Sequence, residues 1–392
     1  MRILVLGGAG AMGMVTVRDL AENSEAEEIV IGDLNVEKAV KIAEWAGNQK
    51  PITTRKVDVS NVESLVEAMR DVDAVANAAP YVFNMEVTRA AIKARKPLTD
   101  LGGVYYTTLE QLRLNDEAKK ADVSIVLGCG VAPGTADVLA KYGADKLDAV
   151  KAVHIRYGDV NFEPAKYKWT FQTVLEEYTK GPVVYQNGEL KRLPPFSGKH
   201  AVEFPKPVGK RNCCYALYSG IATLPETIGK GVETVDCAMS YSEEDEIRIR
   251  LLEDMGLTRT QPINIQGVSI APRDFLLRVV PPPDVNVRDA ASIIVEVAGE
   301  KSGEETRYVY SLVYSYNEEY RVSATAYLTG VPLSIVAEML AKNQITAKGV
   351  LPPETAINAE QFFQQLAKRG ILIRETVRRT HLLKFQEKRG LA

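Results

Sequence analysis

The chain opens with the stretch that decides its fold, Met1-Arg2-Ile3-Leu4-Val5-Leu6-Gly7-Gly8-Ala9-Gly10-Ala11-Met12-Gly13. The apolar run 2–6 ends at glycines, which is typical of a fully buried strand. Residues 11–22 then predict a helix, because their apolar residues share one side. A strand, a glycine-rich turn and a helix in this order indicate a loop that binds the phosphates of a dinucleotide.

The glycines of this loop, spaced as G-x-G-x-x-G, have separate expected roles. Gly8 permits the tight turn, Gly10 lets the backbone approach a pyrophosphate, and Gly13 allows the helix to pack closely on the strand. Ala11 and Met12 open the helix, where free N–H groups and the helix dipole attract phosphate. A glycine-rich turn without a ligand is the alternative, which the acidic residue described next disfavours.

The acidic residue Asp33 follows the second predicted strand (28–32) and lies twenty residues after Gly13. A carboxylate there accepts hydrogen bonds from the adenosine ribose hydroxyls and would repel a 2′-phosphate. Leu34 and Asn35 supply no arginine that could hold such a phosphate. The sequence therefore favours NAD as the cofactor over NADP.

Two further positions are candidates for contact with the cofactor. Asp58 ends the third predicted strand and could reach the adenine, although a role in capping the next helix is an equal alternative. Ala79, Pro80 and Tyr81 follow the fourth predicted strand (74–78), where small residues let a cofactor pass the sheet. Tyr81 would then stand near the nicotinamide, unless it is simply a packed side chain.

The first third of the chain alternates predicted strands and helices. The strands are at 2–6, 28–32, 53–59, 74–78, 97–101 and 123–127, and the helices are at 11–22, 36–46, 62–69, 87–94 and 109–121. This alternation indicates an α/β fold with a doubly wound parallel sheet of the Rossmann type. We expect residues 1–135 to form a dinucleotide-binding domain.

After residue 136 the pattern changes to longer alternating stretches. They predict the strands of an α+β mixed sheet, at 152–157, 183–185, 275–280, 292–298 and 307–316. Helices return at 324–329, 332–342 and 359–369, and a basic segment follows at 378–389. We therefore place domain boundaries so that 136–323 and 324–392 form a second and a third part.

Composition argues against several classes of protein. A net charge of −3 offers no basic surface for nucleic acid, and no run of 18 apolar residues predicts a membrane span. Acidic residues closely follow the first apolar run, which argues against a signal peptide, so a cytoplasmic location is expected. The four cysteines form no Cys-x-x-Cys pair and the three histidines are scattered, so no metal site is predicted.

A different class of dinucleotide enzyme fits part of the sequence. Short-chain dehydrogenases need a Tyr-x-x-x-Lys on a helix with a serine upstream, and Tyr142 and Lys146 match those letters. Gly143 weakens a helix there, and Cys129 stands where the serine would be expected. We interpret the match as a coincidence.

A more extensive resemblance joins motifs along nearly the whole chain. In order they are Pro80-Tyr81-Val82-Phe83, Ala90-Ala91-Ile92-Lys93, Asp100-Leu101-Gly102-Gly103, Gly130-Val131-Ala132-Pro133-Gly134, Tyr167-Lys168-Trp169-Thr170, Glu176-Glu177-Tyr178-Thr179, Thr223-Leu224-Pro225-Glu226-Thr227, Thr329-Gly330 and Gly349-Val350-Leu351-Pro352-Pro353-Glu354. Their order and spacing resemble the saccharopine dehydrogenase family. The segments 167–170 and 176–179 are similar to lysine 6-dehydrogenases within it.

The resemblance implies an architecture and an activity. The C-terminal helices (324–392) would return to the Rossmann domain, and the middle region (136–323) would form the mixed sheet that binds substrate and pairs the subunits of a homodimer. The implied reaction is oxidation of a carbon that bears an amine, in a small amino-acid or amine substrate. Hydride would pass to the nicotinamide, and the imine would be hydrolysed or cyclise.

Departures from the family pattern bear on the substrate. Ala132 replaces the aspartate of the Asp-Pro-Gly motif of saccharopine-forming enzymes, and Gln172 replaces an arginine of lysine dehydrogenases. An arginine in such a pocket would clamp a carboxylate. Its loss suggests a different substrate or another cation, for which Lys168, Arg156 and Arg211 are candidates unless they are surface charges.

Asp100, Tyr81 and Lys168 are the candidates for catalysis. Asp100 is the first choice, because it ends the fifth predicted strand, where such sheets bind ligands; a turn carboxylate before two glycines is the alternative. Glu176 and Glu177 lie on a predicted helix, with at least one expected to face solvent. The leading hypothesis is an NAD-dependent dehydrogenase acting on CH–NH groups. The alternatives are a saccharopine-type reductase that joins an amino acid to an oxo acid, and a non-catalytic dinucleotide-binding protein.

Overall fold

The computed structural model describes residues 1–47, 49–163 and 168–381. Tyr167, which belongs to one of the motifs above, lies outside the described residues. So does the part of the basic segment 378–389 that follows residue 381.

The first part of the chain alternates strands and helices, as the sequence predicts. Its strands are β1 (Arg2–Leu6), β2 (Glu28–Asp33), β3 (Ile52–Lys56), β4 (Ala74–Asn77), β5 (Leu98–Asp100) and β6 (Ser124–Val126). Its helices are α1 (Ala11–Asn23), α2 (Val36–Trp45), α3 (Val62–Met69), α4 (Asn84–Ala94), α5 (Tyr105–Leu112), α6 (Asn115–Lys120) and α7 (Thr135–Asp145). The single helix predicted at 109–121 is thus two shorter helices.

The rest of the chain is richer in strands. These are β7 (Ala149–Asn161), β8 (Val183–Gln186), β9 (Glu189–Arg192), β10 (His200–Glu203), β11 (Lys210–Tyr215), β12 (Thr234–Ser240), β13 (Ile263–Ile265), β14 (Val268–Ile270), β15 (Asp289–Lys301), β16 (Glu304–Ser315), β17 (Gly349–Leu351) and β18 (Arg374–Thr380). The helices are α8 (Phe171–Thr179), α9 (Leu224–Ile228), α10 (Glu243–Asp254), α11 (Pro272–Val279), α12 (Ala324–Ala341), α13 (Pro353–Ala356) and α14 (Ala359–Lys368).

One predicted strand is wrong. Residues 275–280 belong to helix α11 and its C-terminal cap, and Pro272 occupies the first turn, where a missing N–H costs nothing. Leu276 packs with Phe171 and Ile249, which lie on helices α8 and α10. A short apolar run fits a strand and a buried helix face equally well, so periodicity alone could not decide this segment.

Seven parallel strands form the first sheet, in the order β17-β6-β5-β4-β1-β2-β3. The chain winds outward in one direction from β1 and in the other direction from β4. Ligands of such sheets bind at this switch point, beside the carboxyl ends of the strands. The doubly wound Rossmann sheet predicted from the sequence is confirmed, with β17 added from the C-terminal part of the chain.

The second sheet has nine strands, in the order β10-β11-β12-β7-β15-β16-β18, with β8 pairing with both β12 and β9. It is mixed, because β12 runs parallel to β7 while β15 runs antiparallel to it. Helix α12 contacts α1 and β4 of the first unit as well as β15 of the second. The part of the chain after residue 323 therefore supplies helices that return to the Rossmann sheet and also one strand to each sheet.

Helix α12 is long and apolar enough to cross a membrane by length and composition alone. It is nevertheless a core helix, since most of its residues are buried between α1 and the second sheet. Among the described residues, no group of three or more His, Cys, Asp or Glu side chains is arranged to hold a metal ion.

Candidate functional site

The glycine-rich loop after β1 wraps tightly under the start of α1. Gly7 has φ +66°, and a Cβ there would lie 2.7 Å from the backbone nitrogen of Ala79. A Cβ on Gly13 would lie 2.2 Å from the Gly7 carbonyl oxygen, so only glycine lets α1 approach the strand this closely. The predicted role of Gly13 in packing is therefore seen in the geometry.

The tight turn is made by a different glycine from the one that the sequence suggested. Gly7 takes the left-handed conformation, whereas Gly8 is buried against Ile31 and Val5. The Gly7 carbonyl accepts a hydrogen bond from the Gly10 N–H at 2.8 Å, which closes the turn. The G-x-G-x-x-G pattern located the loop correctly, but counting from its first glycine shifted the turn by one residue.

The loop leaves room and hydrogen-bond donors for a pyrophosphate. A Cβ on Gly10 would meet within the protein only the Gly7 oxygen, at 3.1 Å. Gly10 caps α1 without any side-chain hydrogen bond, so the first N–H groups of the helix have no side-chain partner. Gly10, Ala11 and Met12 all line the groove described below. These features fit a dinucleotide phosphate at the helix N-terminus.

The carboxylate of Asp33 lies at the end of β2 and lines the same groove. It accepts hydrogen bonds from the Ala9 N–H at 3.1 Å and the Asn35 N–H at 2.9 Å, which fix its orientation. Lys38, on the first turn of α2, lines the groove with it. The structure thus supplies a carboxylate suited to ribose hydroxyls and also a cation suited to a 2′-phosphate, which the sequence analysis did not consider.

Asp58 lies away from this arrangement. Its exposed carboxylate accepts hydrogen bonds from the Ser60 hydroxyl at 2.6 Å and the Ser60 N–H at 3.0 Å, and these bonds lower its pKa. It is not among the residues that line the groove, and helix α3 is capped by Asn61. The helix cap predicted for Asp58 is not formed, since its carboxylate makes a local turn instead, and its contact with adenine stays a prediction.

The segment after β4 forms another wall of the groove. Ala79, Pro80 and Tyr81 line it, as the sequence predicted for the passage of a cofactor. The amide of Asn77 binds Asn84 at 3.0 Å and the Ala79 N–H at 3.1 Å, which holds the segment in place. The phenol of Tyr81 is half-buried, and burial and the neighbouring Glu176 carboxylate raise its pKa well above the ordinary value.

Asp100 supports the groove without lining it. Its carboxylate accepts hydrogen bonds from the N–H groups of Gly102 and Gly128, each at 2.8 Å, and from the Gln111 amide at 2.8 Å. It is fully buried, and burial raises its pKa. The structure therefore contradicts its prediction as the polar group beside the nicotinamide. Asp100 is a turn carboxylate that ties together the loops after β5 and β6.

The groove continues from the cofactor loops into the second sheet. Its volume is about 480 Å³. Loops after β1, β4, β5 and β6 form one end, and the other end is formed by residues of the second sheet, helix α8 and α12, namely Tyr157, Trp169, Thr170, Thr173, Glu177, Tyr218, Cys237, Met239, Thr325 and Thr329. A concave apolar site with a few polar groups at a topological switch point is where a small substrate would meet a cofactor.

Two adjacent glutamates of α8 have different environments: Glu176 is buried, whereas Glu177 is partly exposed. Glu176 is buried and paired with Arg273 and with Lys180 at 2.8 Å, and its pKa is lowered despite its burial. Glu177 lines the groove beside Trp169, and burial raises its pKa to about 8. The expectation that at least one glutamate faces solvent holds only for Glu177, whose partial exposure is on the side of the groove. The sequence motif contained Glu177, but nothing local revealed that it faces a cavity.

Lys168 is buried behind the groove. Its ammonium group pairs with Asp159 and, at 3.2 Å, with Asp289, which also accepts a hydrogen bond from Thr325. It lines a second cavity, of about 560 Å³, on the far side of Trp169. With both carboxylates bound, Lys168 positions β7, β15 and α12, and the structure does not place it at the cofactor as a catalytic group.

The other candidate cations for a substrate carboxylate are also engaged. Arg156 pairs with the buried Asp236, which also binds His154 at 2.8 Å. Arg211 donates to the Asp159 carbonyl at 3.1 Å and lines the second cavity. Neither arginine lines the groove. The cation that the sequence analysis sought is therefore not found there among the described residues.

The tyrosine and lysine that matched short-chain dehydrogenases lie elsewhere. Tyr142 packs against Tyr310 and Phe363, and the Lys146 ammonium lies 4.1 Å from the centre of the Tyr142 ring. Lys146 also pairs with Glu375 on the edge strand β18. Neither residue lines the groove, which agrees with the interpretation that their match to the Tyr-x-x-x-Lys motif is a coincidence.

Comparisons with known proteins agree with this architecture. Residues 3–126 match the model of the saccharopine dehydrogenase NADP binding domain, and residues 130–371 match that of the saccharopine dehydrogenase C-terminal domain. Two solved structures share the fold over 96% of this chain. A saccharopine dehydrogenase (L-Glu forming) from Saccharomyces cerevisiae has a TM-score of 0.73 at 17% identity, with 99% of its chain covered. A homospermidine synthase from Legionella pneumophila in complex with NAD has a TM-score of 0.67 at 13% sequence identity, with 91% of its chain covered.

Relatives of similar length are enzymes of amine and amino-acid metabolism. A carboxynorspermidine synthase of Vibrio cholerae is 25% identical, over 93% of this chain and 94% of its own. A carboxyaminopropylagmatine dehydrogenase of Synechocystis is also 25% identical, over 95% of this chain and 97% of its own. A saccharopine dehydrogenase [NADP(+), L-glutamate-forming] of Schizosaccharomyces pombe is 22% identical, over 95% and 98%. The chain belongs to the saccharopine dehydrogenase family of NAD(P)-dependent oxidoreductases.

Proposed function

We propose that this protein is a nicotinamide-dinucleotide-dependent oxidoreductase that makes or breaks a C–N bond of an amine. The observation that carries the proposal is the continuous groove. It joins a glycine-rich loop suited to phosphate and a carboxylate suited to ribose hydroxyls to an aromatic pocket with one half-buried carboxyl group. Such a groove can hold a small substrate against the nicotinamide and exclude water.

The two reactions considered from the sequence are one chemical conversion in opposite directions. Oxidation of a C–N bond gives an imine that water hydrolyses to an amine and a carbonyl compound. Condensation of an amine with a carbonyl compound gives the imine that is then reduced. The two relatives at 25% identity are named for amines that carry a carboxyl group, carboxynorspermidine and carboxyaminopropylagmatine. Those names support the condensing direction, which was the alternative in the sequence analysis, as strongly as a lysine 6-dehydrogenase type of oxidation.

The residues of the groove have distinct tasks in this conversion. The bound nicotinamide supplies or accepts the hydride. Tyr81, Gly102 and Pro133 form the wall beside the expected nicotinamide position, since they follow the strands next to the switch point. Tyr157 and Tyr218 line the far end. The Tyr157 hydroxyl binds Thr325, which in turn donates to Asp289, and the Tyr218 hydroxyl donates directly to Asp137.

NAD is the cofactor that we propose, with NADP second. Two backbone N–H groups hold Asp33 in the position where the carboxylate that binds the adenosine ribose hydroxyls is expected. In that position it would repel a 2′-phosphate at close range. Lys38 opposes this preference, but it is exposed and has a flexible side chain. We also propose the cytoplasmic homodimer expected from the sequence; light scattering of the purified protein tests the dimer.

The experiment that tests the function is a matrix of substrates. Purified protein is mixed with NADH or NADPH, an amine (lysine, ornithine, agmatine or a linear diamine) and an oxo acid or amino aldehyde, while absorbance at the nicotinamide band is followed. The reverse arm uses NAD or NADP with each amine and with saccharopine. Turnover that depends on an amine is the expected result. Binding of a dinucleotide with no turnover in either arm would favour the non-catalytic alternative.

A further inference from the structure

We infer that Glu177 binds the ammonium group of the substrate and accepts its proton, and that the end of the substrate in this pocket is an amine without a carboxylate. The inference rests on the proposed function and specifies its substrate. It assigns to one side chain both the recognition of the amine and the proton transfer that precedes hydride transfer.

The distribution of charge along the groove carries the first step. Among the described residues that line it, three are charged: Asp33, Lys38 and Glu177. The first two are at the cofactor end, on β2 and α2, whereas Glu177 stands in the far end on α8. A carboxylate in an apolar cavity is stabilised by a cationic ligand. A substrate carboxylate in the same place would be repelled.

The walls around Glu177 suit an ammonium group. Tyr157, Trp169 and Tyr218 line the same end of the groove, and aromatic faces attract cations. The Trp169 indole nitrogen is buried beside the Glu177 carboxylate. Methylene groups of a linear amine could therefore lie against aromatic and apolar surface while the charged nitrogen reaches the glutamate.

The nearby cations are already paired with carboxylates. Lys168 binds Asp159 and Asp289, and Arg273 binds Glu176. Neither Lys168 nor Arg273 lines the end of the groove that contains Glu177. No other Lys or Arg among the described residues lines that end either. A substrate carboxylate entering this end would have no free cation to receive it, whereas an amine has Glu177.

The tyrosines and cysteines around Glu177 are neutral over the ordinary pH range. Burial raises the pKa of Tyr157 on β7, Cys214 on β11, Cys237 on β12 and Tyr178 on α8, and Glu177 itself adds to each of these shifts.

The fixed charges on neighbouring elements are few. Asp159 on β7 adds negative potential at Tyr157, Asp245 on α10 does so at Tyr178, and Arg273 on α11 is paired with Glu176. Among the described residues that line the pocket, Glu177 is the one that changes charge near neutral pH, with a pKa of about 8. Asp137, which lies behind Tyr218 and outside the groove, has its pKa raised to about 8 as well, by burial and by Glu354, so the Glu177→Gln variant is needed to tell the two apart.

The proton and electrons balance without a further reactant beyond water. In the oxidative direction the ammonium N–H bond breaks and its proton passes to the Glu177 carboxylate. The neutral nitrogen then supports departure of hydride from the adjacent carbon to NAD(P), and a C=N bond forms. Water adds to that bond, and the adduct separates into an amine and a carbonyl compound. Glu177 returns its proton to solvent, or donates it in the reverse direction.

The kinetic test uses Glu177→Gln, which keeps the shape but cannot take the proton. Wild-type amine oxidation should rise with pH through an inflection near 8, because the carboxylate is the basic form. The variant should lose roughly 10²- to 10⁴-fold in kcat/KM. Its pH profile should then follow only the ionisation of the substrate amine, whose pKa is about 10. Glu233→Gln, an exposed glutamate on the same domain, is the control and should behave as wild type. A variant with the wild-type profile would overturn the inference.

The binding test separates this inference from the proposed function. Protein saturated with NADH or NADPH is titrated calorimetrically with 1,5-diaminopentane and with lysine, which differ by one carboxylate. The diamine should bind at least about tenfold more tightly, and Glu177→Gln should remove that advantage while dinucleotide affinity is unchanged. Equal or tighter binding of lysine would refute the substrate class.

The two failures are distinguishable. If diamine binding depends on Glu177 but no amine is turned over, the site stands and the proposed reaction fails. If amines are turned over and Glu177→Gln matches wild type in both tests, the reaction stands and the role of Glu177 fails.

Discussion

At the scale of single residues, the proposed preference for NAD over NADP rests on two opposite charges at one end of the groove. Asp33 is fixed by hydrogen bonds from Ala9 and Asn35, while Lys38 is exposed and free to turn away. A fixed charge discriminates between ligands better than a mobile one, because less conformational entropy is lost on binding. This difference is the physical reason for expecting Asp33 to dominate.

We predict that Asp33→Asn weakens NAD binding by roughly 10- to 100-fold, the range for a lost hydrogen bond to a charged group. NADP binding should weaken less, because the repulsion of the 2′-phosphate is removed together with the ribose contact. Calorimetric titration with both dinucleotides measures the two changes. Asp58→Asn is the matched control, since that exposed carboxylate does not line the groove. Equal losses for NAD and NADP would show that Asp33 does not select between them.

Sequence reasoning found the residue types of the site but not always their roles. The dinucleotide loop and Asp33 were predictable, because both depend on spacing within one local strand–turn–helix unit. Asp100 and Lys168 were misassigned because their partners are remote in sequence: Asp100 binds Gly128, and Lys168 binds Asp289. Glu177 was missed as a pocket residue for the same reason. The partner of a buried charge is set by the folded chain, and no local pattern reports it.

At the scale of elements, the Rossmann half was predictable because most of its strands, such as β1, β2 and β4, are short apolar runs that alternate with helices. Many elements escaped prediction, among them the strands β9 to β14 and the helices α7, α9 and α10, and three others show the reason. Strand β17 has three residues and becomes a strand by pairing with β6, strand β18 is fully exposed on the edge, and α11 resembles an alternating strand in sequence. Each is determined by its neighbour in the folded protein more than by its own pattern.

In the turn from β1 to α1, one glycine serves packing and another serves contact with the ligand. Substitutions of Gly13 and Gly10 should therefore affect different properties, stability in the first case and dinucleotide binding in the second. Gly13→Ala should destabilise the protein by about 1–3 kcal/mol, since its Cβ would collide with the Gly7 oxygen. Gly10→Ala should cost less stability than Gly13→Ala, because its one contact, with the Gly7 oxygen at 3.1 Å, is tight but far less severe than the 2.2 Å overlap at Gly13, yet it should greatly weaken dinucleotide binding. Urea unfolding and dinucleotide titration of both variants measure this. Strong binding by Gly10→Ala would place the pyrophosphate elsewhere.

At the scale of the whole molecule, the C-terminal part of the chain locks onto the helix that carries the phosphate site. Arg369 binds both carboxylate oxygens of Asp19 on α1, at 2.8 and 2.9 Å, and the two side chains are almost completely buried. Ser334 on α12 donates a hydrogen bond to the same carboxylate. Gly330, also on α12, lies so close to α1 that a Cβ would be 2.7 Å from the Met12 carbonyl. The end of the chain therefore determines where the cofactor helix lies.

Removing one partner of this ion pair should cost more than removing both. Arg369→Met leaves the buried Asp19 carboxylate without its cation, for which a loss of about 3–5 kcal/mol in unfolding free energy is expected. Adding Asp19→Leu should recover much of that loss, because an apolar pair needs no compensating charge. Urea unfolding of both variants and the wild type measures the difference.

The pH dependence of the single variant gives an independent check. Burial already raises the pKa of Asp19, and loss of Arg369 would raise it further. A carboxyl group whose pKa is higher in the folded than in the unfolded state favours folding as pH falls. The deficit of Arg369→Met should therefore persist above the folded-state pKa of Asp19 and shrink as pH falls through that pKa toward the unfolded-state value of about 3.9, whereas the double variant should show no such recovery. If the double variant were as unstable as the single one, the packing of the Arg369 side chain, and not its charge, would hold the C-terminal segment on α1.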